Sequence, residues 1–293
     1  MPSWQGKSKG TKTGYSIFVG ILRRFGVFPA YFLLRFVAFY YFLFSFTSSR
    51  IIFSFFRKIL RYSTISSVLN VYRNYFWFGQ SLIDKIVLMS ELPNKFTFDF
   101  DGEQYLREMV AGGKGGMLIS AHVGNWEIAG FLLKRLDTKI NIVMYDGEHQ
   151  KIKEYISSVI GKRQVKIIVV KDDISHIYEI NEALRNNEFV CMHADRFVEG
   201  NRIVNKEFLG KEAPFPFGPF VLATRLEVPV SFVFAMKESK LHYHFFASKP
   251  KMYFSKERKI ATEEMLNDFV SELEQKVKHY PAQWYNYYDF WKA

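Results

Sequence analysis

The sequence predicts an α/β protein: a single mixed, largely parallel sheet flanked by helices, preceded by an N-terminal membrane-associating helical section. Three observations predict it. From about Gly112 onward, short apolar runs alternate with helical stretches of about ten to fifteen residues, the pattern of strands joined by crossover helices. Before that point the texture is helical and opens on an aromatic, almost uncharged segment. The chain has 293 residues, 48% hydrophobic and 24% charged, which suits one large domain and excludes a disordered chain or a polytopic membrane protein.

The opening segment reads FPAYFLLRFVAFYYFLFSF over residues 28–46, with Arg35 and Ser45 as its clearly polar residues. As a helix it would run about 28 Å, close to the thickness of a bilayer core. Arg35 near its middle opposes simple spanning, because an arginine at the membrane centre costs about 2.5–3.5 kcal/mol on insertion scales. A snorkelling arginine and a helix lying along the interface both satisfy this constraint. Lys7, Lys9, Lys12, Arg23 and Arg24 precede the segment and Arg57, Lys58 and Arg61 follow it, which suits an anionic cytoplasmic leaflet. No small-residue cleavage site follows the apolar run, so a secretory signal peptide fits poorly. A buried helix of a soluble core is the competing explanation; the aromatic density and the basic flanks favour membrane contact. Residues 1–60 are expected to form this section and residues 61–293 the α/β domain.

Residues 49–90 continue as amphipathic helix until Pro93-Asn94 turns the chain. Met117–His122 is the first expected strand and 125–136 the helix after it. Ile140–Tyr145, Val165–Val170 and Phe189–Ala194 are further strands, separated by helices over 148–160 and 174–185. Val228–Met236 and Leu241–Ala247 close the set of strands. The last helix carries Leu266, Phe269, Val270, Leu273 and Val277 on one face, which must pack on the body. There is no internal repeat and no low-complexity linker.

Lysine and arginine number 40 against 29 acids, a formal charge of +11, and 18% of the residues are aromatic. Such a balance favours acidic partners: anionic lipid, an acidic protein, a phosphorylated substrate or nucleic acid. The aromatics cluster in apolar runs instead of interleaving with basic residues, unlike the stacking platforms of nucleic-acid binders. A single cysteine, Cys191, excludes a disulfide scaffold and a cysteine-built zinc site.

The most informative stretch is AHVGNWE, residues 121–127. A histidine followed five positions later by an acid is expected about 0.7 times by chance in this composition, and His149–Glu154 is a second instance. That second pair lies in a charged helical stretch, where residues five apart point away from each other. His122 instead ends an apolar strand, and the chain passes Gly124 to reach Glu127 in the first turn of a helix, with Asn125 as its candidate N-cap. Open α/β sheets place ligands at the carboxyl ends of their parallel strands. His122 would be a general base, and Glu127 would accept its other ring N–H, fixing the tautomer and stabilising the imidazolium. No G-x-S-x-G elbow occurs and Cys191 sits within an apolar strand, so the nucleophile belongs to the substrate and transfer is direct. A structural histidine in a strand–helix turn is the competing explanation.

HVGNWE, followed by FLGKEAPFPFGPFVLATRLEVPV (208–230) and the aromatic tail YPAQWYNYYDFWK (280–292), resembles the lipid A biosynthesis lauroyl/myristoyl acyltransferases of the lysophospholipid acyltransferase superfamily, whose signature is H-x4-D/E. The resemblance covers most of the chain. It implies transfer of a fatty acyl group from an acyl thioester, acyl carrier protein or acyl-CoA, to a hydroxyl of a membrane lipid at the cytoplasmic face of the inner membrane, with no cofactor. His122 and Glu127 match the dyad. Phe215-Pro216-Phe217-Gly218 stands in the place of the acceptor-binding F-P-E-G block, without its Glu and Arg. Val228-Pro229-Val230 matches the family's V-P strand, and Tyr280-Pro281 stands where His-Pro is more usual. These departures bear on the acceptor more than on the chemistry, and leave an aminolipid or an aryl-polyene (flexirubin-type) pigment lipid as alternative acceptors.

The remaining candidates lie on the substrate side. Asp195 corresponds in place to an acid of the lipid A enzymes, and Arg196 beside it would neutralise a phosphate or a developing oxyanion. Arg163 is a weaker candidate for anion contact. Phe217 and Gly218 open a helix whose N-terminus suits an anion. His122, Glu127, His193 and Asp195 are metal-compatible residue types, but no metal-binding spacing such as H-E-x-x-H occurs and no metal is expected. A non-enzymatic membrane scaffold and a nucleic-acid binder are the competing function classes.

Overall fold

The computed structural model describes residues 12–89, 92–126, 128, 133–145, 165–171, 173–197 and 200–291. The N-terminal section forms α1 (Lys12–Phe25), α2 (Val27–Phe44) and α3 (Phe46–Ser54), the last running into a π-helical turn at Phe55–Ile59. The stretch expected to be helical over 49–90 is helical, with a break before α4 (Thr64–Met89). Ser63 causes the restart: its hydroxyl accepts the backbone N–H of Ser66 at 3.2 Å, capping the new helix.

Seven strands form the main sheet in the order β1-β9-β8-β2-β5-β3-β4: β1 (Thr97–Asp101), β2 (Gly116–Ser120), β3 (Ile140–Tyr145), β4 (Val165–Val170), β5 (Phe189–His193), β8 (Val230–Ser239) and β9 (His242–Ala247). Strands β8, β2, β5, β3 and β4 run parallel, while β9 is antiparallel to β8 and carries β1 parallel to itself. The sheet is therefore mixed and largely parallel. All six expected strands are present; β1 was not foreseen, nor the antiparallel hairpin of β6 (Ile203–Phe208) and β7 (Lys211–Pro216). Helices α5 (Glu103–Ala111), α6 (Ser175–Arg185), α7 (Gly218–Leu226) and α8 (Arg258–His279) complete the described helices. Of the 125–136 stretch, Leu133–Leu136 is a turn of 3-10 helix, and the helix expected over 148–160 lies outside the described residues.

The five residues expected to face inward from α8 (Leu266, Phe269, Val270, Leu273 and Val277) are all buried, together with Phe220 of α7 and the inward side chains of β2, β5 and β8. A second core lies between α2, α4 and β9, where Ala30, Tyr31 and Leu34 meet Ile83, Val87 and Tyr243. Helix α2 is thus two-faced. Its inner face is packed, while Phe28, Phe32, Phe36, Phe39, Tyr40 and Phe44 are each more than half exposed. It is also long and apolar enough to cross a membrane. Arg35 lies among the exposed aromatics.

Candidate active site

Strands β2 and β5 are neighbours in the parallel part of the sheet, with Ser120 paired to His193. Their carboxyl ends therefore open side by side, and the backbone N–H of Ala194 donates to Ser120 O at 2.9 Å just beyond the last pair. This adjacency joins residues 73 positions apart. Asp195 Oδ1 lies 2.7 Å from His122 Nδ1, and Asp195 Oδ2 accepts the backbone N–H of His122 at 2.9 Å. Both oxygens of one carboxylate are spent on one residue, which fixes the imidazole in position and rotation.

The pair is shielded: the His122 side chain is 13% exposed and that of Asp195 2%. Burial works to raise the Asp195 carboxyl. The charge and hydrogen bond of His122, with Arg196 and His193, outweigh it and hold the group well below the ordinary carboxylate range. The His193 ring lies tilted against the imidazole at 4.3 Å between ring centroids, and Trp126 lies edge-on to His193 at 4.5 Å. Burial first, then the charges of His122 and Arg196, push His193 well below its ordinary value against the pull of Asp195. His193 is therefore neutral near pH 7, and His122 is the better-placed proton carrier of the two.

The turn that delivers His122 depends on Gly124. Its φ is +67°, and a Cβ there would lie 2.1 Å from Ala235 O, so only glycine fits. The backbone N–H groups of Gly124 and Asn125 donate to Gln283 O at 2.9 Å and Ala235 O at 2.7 Å. Asn125 uses its side-chain Nδ2 to hold Ser81 O at 3.0 Å and the Tyr243 hydroxyl at 3.2 Å, tying the turn to α4 and β9.

Sequence reasoning missed how the aromatic tail closes the site. Val123 bridges Trp284, Tyr285 N–H donates to His122 O at 3.1 Å, and Arg196 Nη2 donates to Tyr285 O at 2.7 Å. The Tyr288 hydroxyl donates to Asp195 O at 3.1 Å. The tail is anchored in turn by Trp284, which packs on Phe55, Phe208, Phe290 and Trp291. The density of aromatics at 280–292 was the available signal.

Among the expected site residues, His122, Asp195 and Arg196 come together. Glu127 and Arg163 lie outside the described residues, as does His149. Phe217 is buried in the core at 3% exposure, with the Arg202 guanidinium 4.6 Å from its ring centroid, and Gly218 is exposed at the start of α7. Burial pushes the Cys191 thiol up to about 12, which makes it a poor nucleophile. Among the described residues no three His, Cys, Asp or Glu side chains are grouped to hold a metal ion.

The described geometry can orient a general base but presents no nucleophile of its own. The family model described as bacterial lipid A biosynthesis acyltransferase matches residues 73–293. Among solved structures, the 1-acyl-sn-glycerophosphate (LPA) acyltransferase PlsC from Thermotoga maritima is similar at 18% identity, covering 83% of this chain and 97% of that one, with a TM-score of 0.36. No curated protein matches the chain.

Proposed function

The chain belongs to the bacterial lipid A biosynthesis acyltransferase family and is a lipid acyltransferase, and we propose that it moves a fatty acyl group from acyl carrier protein to a hydroxyl of a lipid at the cytoplasmic face of the inner membrane. The observation that carries this reading is the His122–Asp195 pair at the carboxyl rim of the parallel strands. A carboxylate on Nδ1 keeps the proton there and leaves the lone pair at Nε2. In the reaction the acceptor hydroxyl attacks the thioester carbonyl, His122 takes its proton, the C–O bond forms and the C–S bond breaks. The same proton then passes from His122 to the leaving thiolate. Asp195 stabilises the imidazolium in between. Glu127, the acid of the H-x4-E signature, completes the charge balance around His122, and Arg196 faces the developing oxyanion or an acceptor phosphate, with Arg163 as a second phosphate contact. Gly218 at the start of α7 contributes a backbone N–H toward the acceptor, and Phe217 fixes that helix start from the core.

The outer aromatic face of α2 is assigned to the bilayer, lying along the interface while its inner face stays on α4. The donor assignment rests on the formal charge of +11, which suits the acidic surface of a carrier protein. A second acceptor class, an aminolipid or an aryl-polyene (flexirubin-type) pigment lipid, is favoured by Phe217 standing where F-P-E-G has its Glu.

Purified protein in mixed micelles, given acyl carrier protein or CoA thioesters and each acceptor class, tests the reading by mass spectrometry of the products. Expected are acylation of a phosphorylated glucosamine lipid from the carrier protein, a fall in kcat/KM with ionic strength, and no product from His122→Ala. Product only on non-phosphorylated lipids would discard the lipid A acceptor, and equal, salt-independent use of acyl-CoA would discard the carrier protein. Full activity of His122→Ala would discard the mechanism.

A further inference from the structure

A fully buried ionic cluster adjoins the His122 turn through Asn125, and the mechanism above does not use it. Asp84 of α4 is 0% exposed and Lys237 of β8 is 1% exposed. Lys237 Nζ donates to Asp84 Oδ2 and, at 2.6 Å, to the Tyr31 hydroxyl. Tyr31 in turn donates to Asp84 Oδ1, and the Tyr243 hydroxyl donates to Asp84 Oδ2. The Tyr31 ring also lies 4.6 Å from the ammonium, in cation–π contact. Burying such a pair is dearer than packing apolar residues of similar volume, so stability alone is a weak reason for its presence.

Its placement supplies a better reason. Tyr31 is the polar side chain on the inner face of α2, the helix whose outer face is apolar and exposed. Tyr243 is the acceptor of Asn125 Nδ2, and Asn125 lies three residues beyond His122. The same β8 residue reaches the turn by a second route: Lys237 N–H donates to Gln283 Oε1 at 3.0 Å, Gln283 Nε2 donates to Lys237 O at 2.7 Å, and Gln283 O holds Gly124 N–H at 2.9 Å. Every hydrogen bond in the line from α2 to the turn is buried, where such bonds are strong and directional.

We propose that Tyr31, Asp84 and Tyr243 are positioning residues, a hydrogen-bonded line through which the seating of α2 on the body sets the turn that presents His122. This rests on the acyltransferase reading for its kinetic consequences and on geometry alone for the coupling. Misplacing a catalytic group by a fraction of its productive geometry lowers turnover with little effect on donor affinity.

The test uses the full chain in mixed micelles, as Tyr31→Phe, Tyr243→Phe and the double variant, with 5-fluorotryptophan incorporated and the Trp126 resonance assigned through Trp126→Phe. Trp126 adjoins Asn125 and lies edge-on to His193, so it reports the turn whether or not the protein is active. Expected are a fall in kcat of about tenfold for Tyr243→Phe with donor KM within about twofold, a displaced Trp126 resonance in both single variants, and a double variant close to Tyr243→Phe alone, because the two hydroxyls serve one line. A purely structural role would lower the melting temperature while leaving kcat per folded molecule and the Trp126 resonance unchanged, and that result would overturn the proposal, as would multiplicative losses in the double variant. If Tyr243→Phe does not fold, Tyr31→Phe at the far end of the line decides through the same resonance. If the wild-type chain acylates nothing, the acyltransferase reading has failed and the Trp126 shift in Tyr31→Phe still decides the coupling.

Discussion

Replacing Asp195 by Asn tests the site at its best-defined contact. The substitution keeps size and shape but cannot keep both bonds to His122. If the amide oxygen faces Nδ1, the NH2 group confronts the His122 backbone N–H, donor against donor, where Asp195 Oδ2 now accepts at 2.9 Å. If the amide is flipped, its oxygen takes that N–H and its NH2 donates to Nδ1, moving the ring proton to Nε2, where a base must have its lone pair. Either way the imidazolium also loses its counter-charge. General-base catalysis contributes roughly 10²–10⁴-fold, so kcat should fall about 10³-fold, equivalent to about 4 kcal/mol at 1.36 kcal/mol per decade. Both substrates should keep their KM within about twofold, because the loss falls on the transition state. The assay is steady-state acyl transfer on protein whose folding is verified by circular dichroism and whose vesicle binding matches wild type. A folded Asp195→Asn variant within about tenfold of wild-type kcat would refute the role given to Asp195.

Three further outcomes follow from the same structure. The folded Asp195 carboxyl titrates below its ordinary 3.8, so its contribution to stability is complete above that value and is lost as pH falls through the folded one; chemical denaturation should show the stability gap between wild type and Asp195→Asn closing below about pH 4. Gly124→Ala forces a Cβ to 2.1 Å from Ala235 O at a φ of +67°, so urea titration should show a loss of at least about 2 kcal/mol together with inactivity, and a stable, active variant would contradict the described turn. Phe32→Ser, Phe36→Ser and Phe39→Ser combined remove three aromatics more than half exposed on α2; at roughly 1 kcal/mol each, half of a full aromatic burial, co-sedimentation with anionic vesicles should weaken about 100-fold while the melting temperature holds.

The parallel strands were legible because strands covered by helices are written as short, mainly apolar runs: β2 and β5 are largely buried, and Asn141 in β3 and Lys166 in the edge strand β4 each interrupt an otherwise apolar run. β1 escaped because TFDFD is an edge strand with Asp99 and Asp101 on its outer face, where acids are tolerated though strand propensity scores them down. The β6–β7 hairpin escaped because Pro214 and Pro216 fall inside β7; a two-stranded ribbon has free edges that can accept a residue without an N–H. Within the site, spacing along the chain found His122 and proposed Glu127 as its carboxylate. The carboxylate on Nδ1 among the described residues comes from 73 positions away, a pairing that only strand order creates.

The larger blind spot was charge. Sequence reasoning assigns acids and lysines to water unless a motif claims them, since ionised groups are almost never fully buried. Asp84 and Lys237 break that rule at the point where an apolar helix must be seated on the body in one arrangement. Apolar contacts between α2 and α4, such as those of Ala30, Leu34, Ile83 and Val87, are non-directional and specify the seating by shape alone. A buried ammonium shared between Asp84 and Tyr31 adds direction, because any shift leaves an unpaired charge out of water. The signal was present in the sequence as the lone acid of the long α4 and a lysine within the apolar β8. A charge placed where periodicity demands an apolar residue is best taken as a buried partner awaiting its opposite, and here the two are joined by Tyr31 of α2.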